Sequence, residues 1–238
     1  GGKVIAASGI TVGPSGTLLL NSGANITGGG SVSVAGTFTL DGTIAAGSTV
    51  GVQSGGLLQG SGTAGPIVVE SGGTLSPGNG VESLDAASLT LNGGLQLYFQ
   101  FKNVSGSPSD DWDLINLSTG LLHLGDASAA NPILITLDAW YADNLGHDSG
   151  SGGNNFNPNE SYEWLFIKST NPASPAFDIP GDDFSQRFVV IDDAPFSGVF
   201  GTGNAFTRPT TSLGHGTFYV AYGDYGGQGQ GLYITLSL

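Results

Sequence analysis

Val12-Gly-Pro-Ser-Gly-Thr-Leu18, Val34-Ala-Gly-Thr-Phe38, Val52-Gln-Ser-Gly-Gly-Leu57 and Val69-Glu-Ser-Gly-Gly-Thr-Leu75 are four versions of one phrase. Each opens on Val and passes through a short run, mostly Gly or Ser, that ends in Gly. Each closes on Leu or Phe, with at most one residue in between. The starting valines lie 22, 18 and 17 residues apart. Self-similarity at a period near 20 residues is the mark of a solenoid, in which each repeat is one turn of a column stacked on the last. Bland rungs of this kind suit a scaffold or a surface better than a catalyst.

Between the phrases the apolar residues alternate over short stretches: Ile10-Thr-Val12, Val32-Ser-Val34, Phe38-Thr-Leu40, Val50-Gly-Val52 and Ile67-Val-Val69. Alternation bounded by Gly or Ser predicts short, half-buried strands. Stacked ~4.8 Å apart, four or five rungs make a column of roughly 20–25 Å. Thr74-Leu-Ser-Pro-Gly-Asn-Gly80 closes the repeats, because Pro77 cannot donate to a ladder and glycine permits positive φ. The organisation is therefore glycine-rich rungs over residues 1–82, then a wider β-helix or sandwich-like region over 83–238, continuous with them. In the second region Leu95, Leu97, Phe99 and Phe101 point one way, and Gln96, Tyr98, Gln100 and Lys102 the other. Further strands are predicted at 113–117, 121–124, 133–138, 162–168, 187–191, 217–222 and 232–238. Loops are predicted at 143–159, 170–183 and 204–216, where Gly, Asn, Ser and Pro concentrate.

Of the 238 residues, 42 are Gly and only 10% are charged, against about 25% in an ordinary soluble domain. The net charge is −14, with five basic residues: Lys3, Lys102, Lys168, Arg187 and Arg208. Such a chain has no basic patch with which to displace counterions from nucleic acid or to bind an anionic membrane. No apolar run approaches the ~20 residues that span a bilayer as a helix. Cys is absent, which removes thiol and disulfide chemistry, and so is Met. The opening Gly1-Gly2-Lys3 is the beginning expected after removal of a signal peptide.

Three stretches carry a family resemblance: Gly73-Thr-Leu-Ser-Pro-Gly78, Ser88-Leu-Thr-Leu-Asn-Gly-Gly-Leu95 and Asp111-Trp-Asp-Leu-Ile-Asn-Leu117. Following glycine-rich rungs, they resemble the autotransporter-associated β-strand repeat proteins, many of them bacterial surface or secreted proteins with a PEP-CTERM-type sorting tail. The likeness covers residues 8–140 and, more loosely, the remainder. It implies an all-β, right-handed parallel β-helix, export to the cell exterior and no known catalytic residues. No such sorting tail occurs within the 238 residues.

Chemical candidates are sparse. The acidic clusters offer Asp110, Asp113, Asp192 and Asp193 as ligands for Ca²⁺, which takes six to eight oxygens, although the Gly-Gly-x-Gly-x-Asp repeat of Ca²⁺-binding β-rolls is absent. Glycoside hydrolysis needs two carboxylates flanking one bond, and the rungs from Ile10 to Leu75 carry only Asp41 and Glu70. His123, His147 and His215 are scattered without metal-binding spacing, and no Gly-x-Ser-x-Gly elbow occurs. No cofactor is implied beyond Ca²⁺. Tyr141 and Tyr225, bordering loops, form the exposed pair for an alternative role in binding surface glycans; other aromatic residues belong to a core. The strongest expectation concerns the ends of the column, which expose unpaired strand edges. Val4 and Ile5 at one end, and Leu232, Ile234, Leu236 and Leu238 at the other, are predicted to join subunits head to tail, giving an open filament. The sequence thus points to a non-catalytic, exported structural protein. A carbohydrate-binding adhesin is the alternative, and a polysaccharide-active enzyme ranks third.

Overall fold

The computed structural model describes residues 2–139, 160–169, 177–178, 184–192 and 217–237. Among these the chain is all-β, with one short 3-10 turn at Phe184–Arg187 and no α-helix. The first rung is β1 (Lys3–Ile5), β2 (Ile10–Val12) and β3 (Thr17–Leu20). The second is β4 (Asn25–Thr27), β5 (Val32–Val34) and β6 (Thr37–Leu40); the third is β7 (Thr43–Ile44), β8 (Val50–Val52) and β9 (Leu57–Gly60). The fourth is β10 (Thr63–Ala64), β11 (Ile67–Val69) and β12 (Thr74–Pro77). In the fifth and sixth, one long strand replaces two short ones: β13 (Ser83–Leu91) with β14 (Gln96–Phe101), then β15 (Leu114–His123) with β16 (Ile133–Ala139). The seventh is β17 (Tyr162–Ser169), β18 (Phe177–Asp178) and β19 (Phe188–Asp192), and β20 (Thr217–Gly223) and β21 (Gly231–Ser237) end the described structure.

Each rung turns through three faces, and every rung-to-rung pairing from the first to the seventh is parallel. The third face is a seven-stranded sheet running β3-β6-β9-β12-β14-β16-β19. The first and second faces merge into one fourteen-stranded sheet, because β13 and β15 run across the corner between them. The crossing leaves a register shift between Ala86 and Ser88. The fold is a parallel β-solenoid.

The recurring phrase is the corner from the second face to the third. Its valines are register partners: Val12 pairs with Val34, Val34 with Val52, and Val52 with Val69. At the far side of the corner Leu18, Phe38, Leu58 and Leu75 stack. The sequence reading ends the third phrase on Leu57, and the structure corrects it. Leu57 pairs with Thr37 and Thr74 on the outer surface, whereas fully buried Leu58 occupies the inward column. Leu57 disguises this position, since it stands where the other three phrases carry the Thr that precedes Leu or Phe.

Between the two columns sits glycine with backbone on both sides. Thr37 N–H donates to Gly16 O at 3.0 Å, Leu57 N–H to Gly36 O at 2.8 Å, Thr74 N–H to Gly56 O at 2.9 Å and Gln96 N–H to Gly73 O at 2.9 Å. A Cβ at Gly56 would lie 2.2 Å from Val34 O. The corner therefore demands glycine on steric grounds.

The interior consists of stacked apolar columns. Val32, Val50, Ile67, Leu89 and Leu122 line the second face, and Leu97, Ile135 and Val190 continue the third. Pro77 ends β12 opposite Gly60, Gly78 then bridges back to Gly60 at a φ of 82°, and the chain bends at 79–80. In the seventh rung large aromatic side chains replace valine and leucine. Trp164 is 1% exposed and stacks against Tyr162 at 5.3 Å, Phe101 at 5.5 Å and Phe218 at 6.1 Å. The predicted loops at 143–159 and 204–216, and most of 170–183, lie outside the described residues.

Candidate functional site

The two ends of the column differ. Among the described residues β1, β2 and β3 of the first rung each pair on one side only, with β4, β5 and β6. The inward column Val4-Ile26-Ile44 terminates there, so Val4 is 50% exposed although its stacked neighbour Ile26 is 1% exposed. Ile10 and Leu18, at the ends of the other inward columns, are half-buried. Ile5 and Leu19 point outward and are exposed. Sequence reasoning singled out Val4 and Ile5 but missed Leu19. Its signal was the position: the register partner of Leu19 is Thr39, and that of Thr39 is Gln59.

At the other end the ladder changes direction. β21 is antiparallel to β17 on one side and to β20 on the other. Leu232, Ile234 and Leu236 are fully buried within this arrangement. They are not an open pairing edge, which corrects the expectation for that strand; Leu238 lies outside the described residues. The physical reason is that β20 hydrogen-bonds along the free side of β21 and drives Phe218 and Val220 onto the aromatic interior. The β20–β21 hairpin extends this end of the first face, and among the described residues β20 pairs with β21 alone.

The acidic candidates separate. Asp110 is exposed on a turn, whereas Asp113 is 1% exposed and accepts hydrogen bonds from the N–H groups of Glu82 at 3.0 Å and Gln100 at 2.9 Å. The two therefore do not share a solvent-facing Ca²⁺ site. Asp192 ends β19, and Asp193 lies outside the described residues. Among the described residues no group of three or more His, Cys, Asp or Glu side chains could hold a metal ion. Asp138 and Gln100, which sequence reasoning did not single out as site residues, are also buried and are joined by Gln100 Nε2 donating to Asp138 Oδ2 at 3.3 Å. Gln100 was legible only as an outward-facing residue of an alternating strand.

Burial pushes the Asp113 carboxyl well above its ordinary value of 3.8. The two backbone donors offset this in part, and the negative charges of Asp138 and Glu82 add to it. The native state thus holds the Asp113 proton more tightly than the unfolded chain. The stability this group contributes is fully present below 3.8 and is lost as pH rises through the raised native value. Urea unfolding in chelator-treated buffer should show stability falling with pH above 4 with the slope of about one proton. Asp113→Asn should flatten that slope while costing stability at low pH, because its amide nitrogen cannot accept from the second N–H. Identical slopes for the two proteins would refute this assignment.

The outer faces are zipped by polar side chains from successive rungs. Gln59 donates to Thr39 at 3.0 Å, Gln96 to Thr136 at 3.0 Å and Asn116 to Asp85 at 3.0 Å. A shallow depression of about 380 Å³ lies on the outer surface beside Thr63, Asp85, Asn116 and Ser118. Among the described residues its lining holds one carboxylate, Asp85, where glycoside hydrolysis uses a pair. Tyr225 is half-buried and packs edge-on against Tyr233 at 5.1 Å. Tyr141 lies outside the described residues, so the two are not brought together as a glycan-stacking pair.

The geometry defines a class: a parallel β-solenoid whose first face ends in an antiparallel hairpin and whose first-rung strands pair on one side only among the described residues. No family model and no curated protein matches the chain.

Proposed function

We propose that this chain is an exported, non-catalytic structural β-solenoid, and that two copies join first rung to first rung. The observation that carries the reading is the first rung itself. Among the described residues three strand edges without a second neighbour coincide there with exposed Val4, Ile5 and Leu19. Unpaired edges of this kind template further pairing. Charge favours the same end. Residues 1–40 carry Lys3 as their sole charged side chain, and all 19 acidic residues lie at or beyond Asp41. In a chain of net charge −14, this is the surface that another copy approaches with least repulsion.

The hairpin at the opposite end bears on the geometry of assembly. A head-to-tail filament needs the far end to accept the first rung in parallel register, and on the first face the edge offered there is β20, a hairpin strand set off from β17 by the antiparallel β21. A two-fold axis instead pairs the first-rung strands of two copies antiparallel and closes the assembly as a dimer. The residue-level resemblance to autotransporter-associated repeat proteins supports a role at the bacterial surface or in extracellular matrix, as does the polar, charge-poor composition.

Sedimentation velocity of the 238-residue chain across micromolar to submillimolar concentration tests the pairing. The expected result is a monomer–dimer equilibrium. Val4→Asp should weaken it by about 100-fold, since it places two unpaired carboxylates in the joined interior. Val4 is half-exposed in the single chain, so the monomer should fold unchanged. A monomer at every concentration, or growth into filaments, would overturn the proposed dimer.

A further inference from the structure

Two first rungs can meet about a two-fold axis in three ways. Such an axis lies across the column and reverses the sense in which the chain circles it. The three faces of one copy therefore fall on those of the other only when the axis passes through the middle of one face and the corner opposite. The strand on that face pairs antiparallel with its own copy, and the other two strands pair with each other. The corners allow all three choices, because 6–9, 13–16 and 21–24 are each four residues long.

The side chains select among them. In the first rung Val4, Ile10, Val12, Leu18 and Leu20 face inward, and Lys3, Ile5, Thr11, Thr17 and Leu19 face outward. Residues opposite each other in an antiparallel pair project from the same side of the sheet, so inward residues must meet inward residues. With the axis on the third face, β1 pairs with β2 of the second copy. Val4 must then meet Ile10 or Val12, and either register slips the strands so that only two of three residues overlap. With the axis on the second face, at Thr11, β1 overlaps β3 in full, but Leu20 is set against Gly2, which has no side chain. With the axis on the first face, every inward residue meets an apolar partner: Val4 meets Val4, Ile10 meets Leu20 and Val12 meets Leu18. Outside, Thr11 meets Leu19, and Ile5 meets the apolar stem of Lys3.

We infer that the axis of the dimer proposed above, on whose existence this rests, passes through Val4 on the first face and Ser15 at the opposite corner. Both arms of the rung then close in register together. Val12 and Leu18 each lie three residues from Ser15, Ile10 and Leu20 five, and Val4 and its stacked neighbour Ile26 eleven. The same axis sets Val4, the most exposed inward side chain of the rung, against its own copy at the centre of the joint. The two Lys3 ammonium groups sit diagonally across the axis on its solvent side, where salt screens them.

The chain has no cysteine, so single substitutions report the joint without background. Opposed residues of an antiparallel pair have Cα atoms about 4.5–5.5 Å apart, within the roughly 4.4–6.8 Å that a disulfide spans. Val4→Cys, Thr11→Cys and Leu19→Cys chains would be oxidised mildly, at concentrations where sedimentation finds the dimer, and run on a non-reducing gel. All three positions are exposed, so the variants should fold. Val4→Cys alone should run predominantly at twice the monomer mass. Thr11→Cys and Leu19→Cys should each stay monomeric, whereas a mixture of the two should cross-link. A dimer trapped by Thr11→Cys alone would overturn this axis and put it on the second face, and one trapped by Leu19→Cys alone would put it on the third. A dimer that Val4→Cys fails to trap would overturn the axis equally. Each of these outcomes leaves the dimer standing; failure of the unsubstituted chain to dimerise in sedimentation would overturn pairing and axis together.

Discussion

Replacing Trp164 by Ala is expected to destabilise the chain by about 4 kcal/mol and to release its C-terminal end first. Trp164 is the hub of the widened interior: Tyr162 belongs to its own strand, Phe101 to β14, and Phe218 to the hairpin. Its indole Nε1–H donates to Val104 O at 2.9 Å, which ties the segment after β14 to the same ring. Truncation removes a fully buried aromatic side chain, leaves a cavity and deprives a buried carbonyl of its donor. In a solenoid, stability is close to a sum of rungs and their interfaces. The loss should therefore be uneven. Amide exchange should accelerate most in 162–169 and 217–237 and least in rungs two to four. A uniform acceleration along the column would show that the hairpin and the rungs unfold as one unit. Trp164→Phe should cost about 1–2 kcal/mol, since it keeps the stacking and loses the hydrogen bond.

The second large effect is expected at a residue with no side chain. Gly56→Ala should cost about 2–4 kcal/mol, which for a chain of this size lowers Tm by roughly 5–15 °C. The added methyl would sit 2.2 Å from Val34 O and 2.9 Å from Val34 C. Both are backbone atoms of the rung beneath, and Val34 O already accepts from Gln53 N–H at 2.8 Å. Relief requires lifting the third rung off the second at a corner held by ladders on both sides. Gly47→Ala is the control: no atom lies within 4 Å of its Cβ position and its φ is not left-handed. That substitution should be neutral or stabilising by up to about 1 kcal/mol. Thermal melts of the two variants decide the matter, and equal Tm values would contradict the steric reading of the corner.

The corner was legible because stacking imposes identity. Val12, Val34, Val52 and Val69 occupy one column, so each sees the same neighbours above and below, and the same residue answers the same packing demand. β2, β5, β8 and β11 of the second face and β6, β14, β16 and β19 of the third were legible for the same reason, whereas β3, β9, β12 and β18 were not read as strands. Those of the first face were not: β7 and β10 are two residues long with one inward side chain each, too short for alternation to register. Joining Leu114–Leu117 and Leu121–His123 into one strand was equally hidden, because Gly120, at φ 74°, reads as a break and here serves a bend within β15. The terminal strand misled because an apolar run at the end of a sequence carries no information about what pairs on either side of it. The buried carboxylate was misread by proximity. Asp110 and Asp113 are neighbours in sequence, but Trp112 turns inward with Nε1–H donating to Leu165 O at 3.0 Å and carries Asp113 beneath the surface with it.

The joining of copies through the first rung is tested most directly by concentration-dependent hydrogen exchange. The chain would be labelled at a few micromolar and at several hundred micromolar, and protection read segment by segment. The account predicts that exchange slows at high concentration in residues 3–5, 10–12 and 17–20, and stays unchanged in 217–237. Exchange in the first rung that is indifferent to concentration, or protection that appears at the hairpin instead, would contradict it.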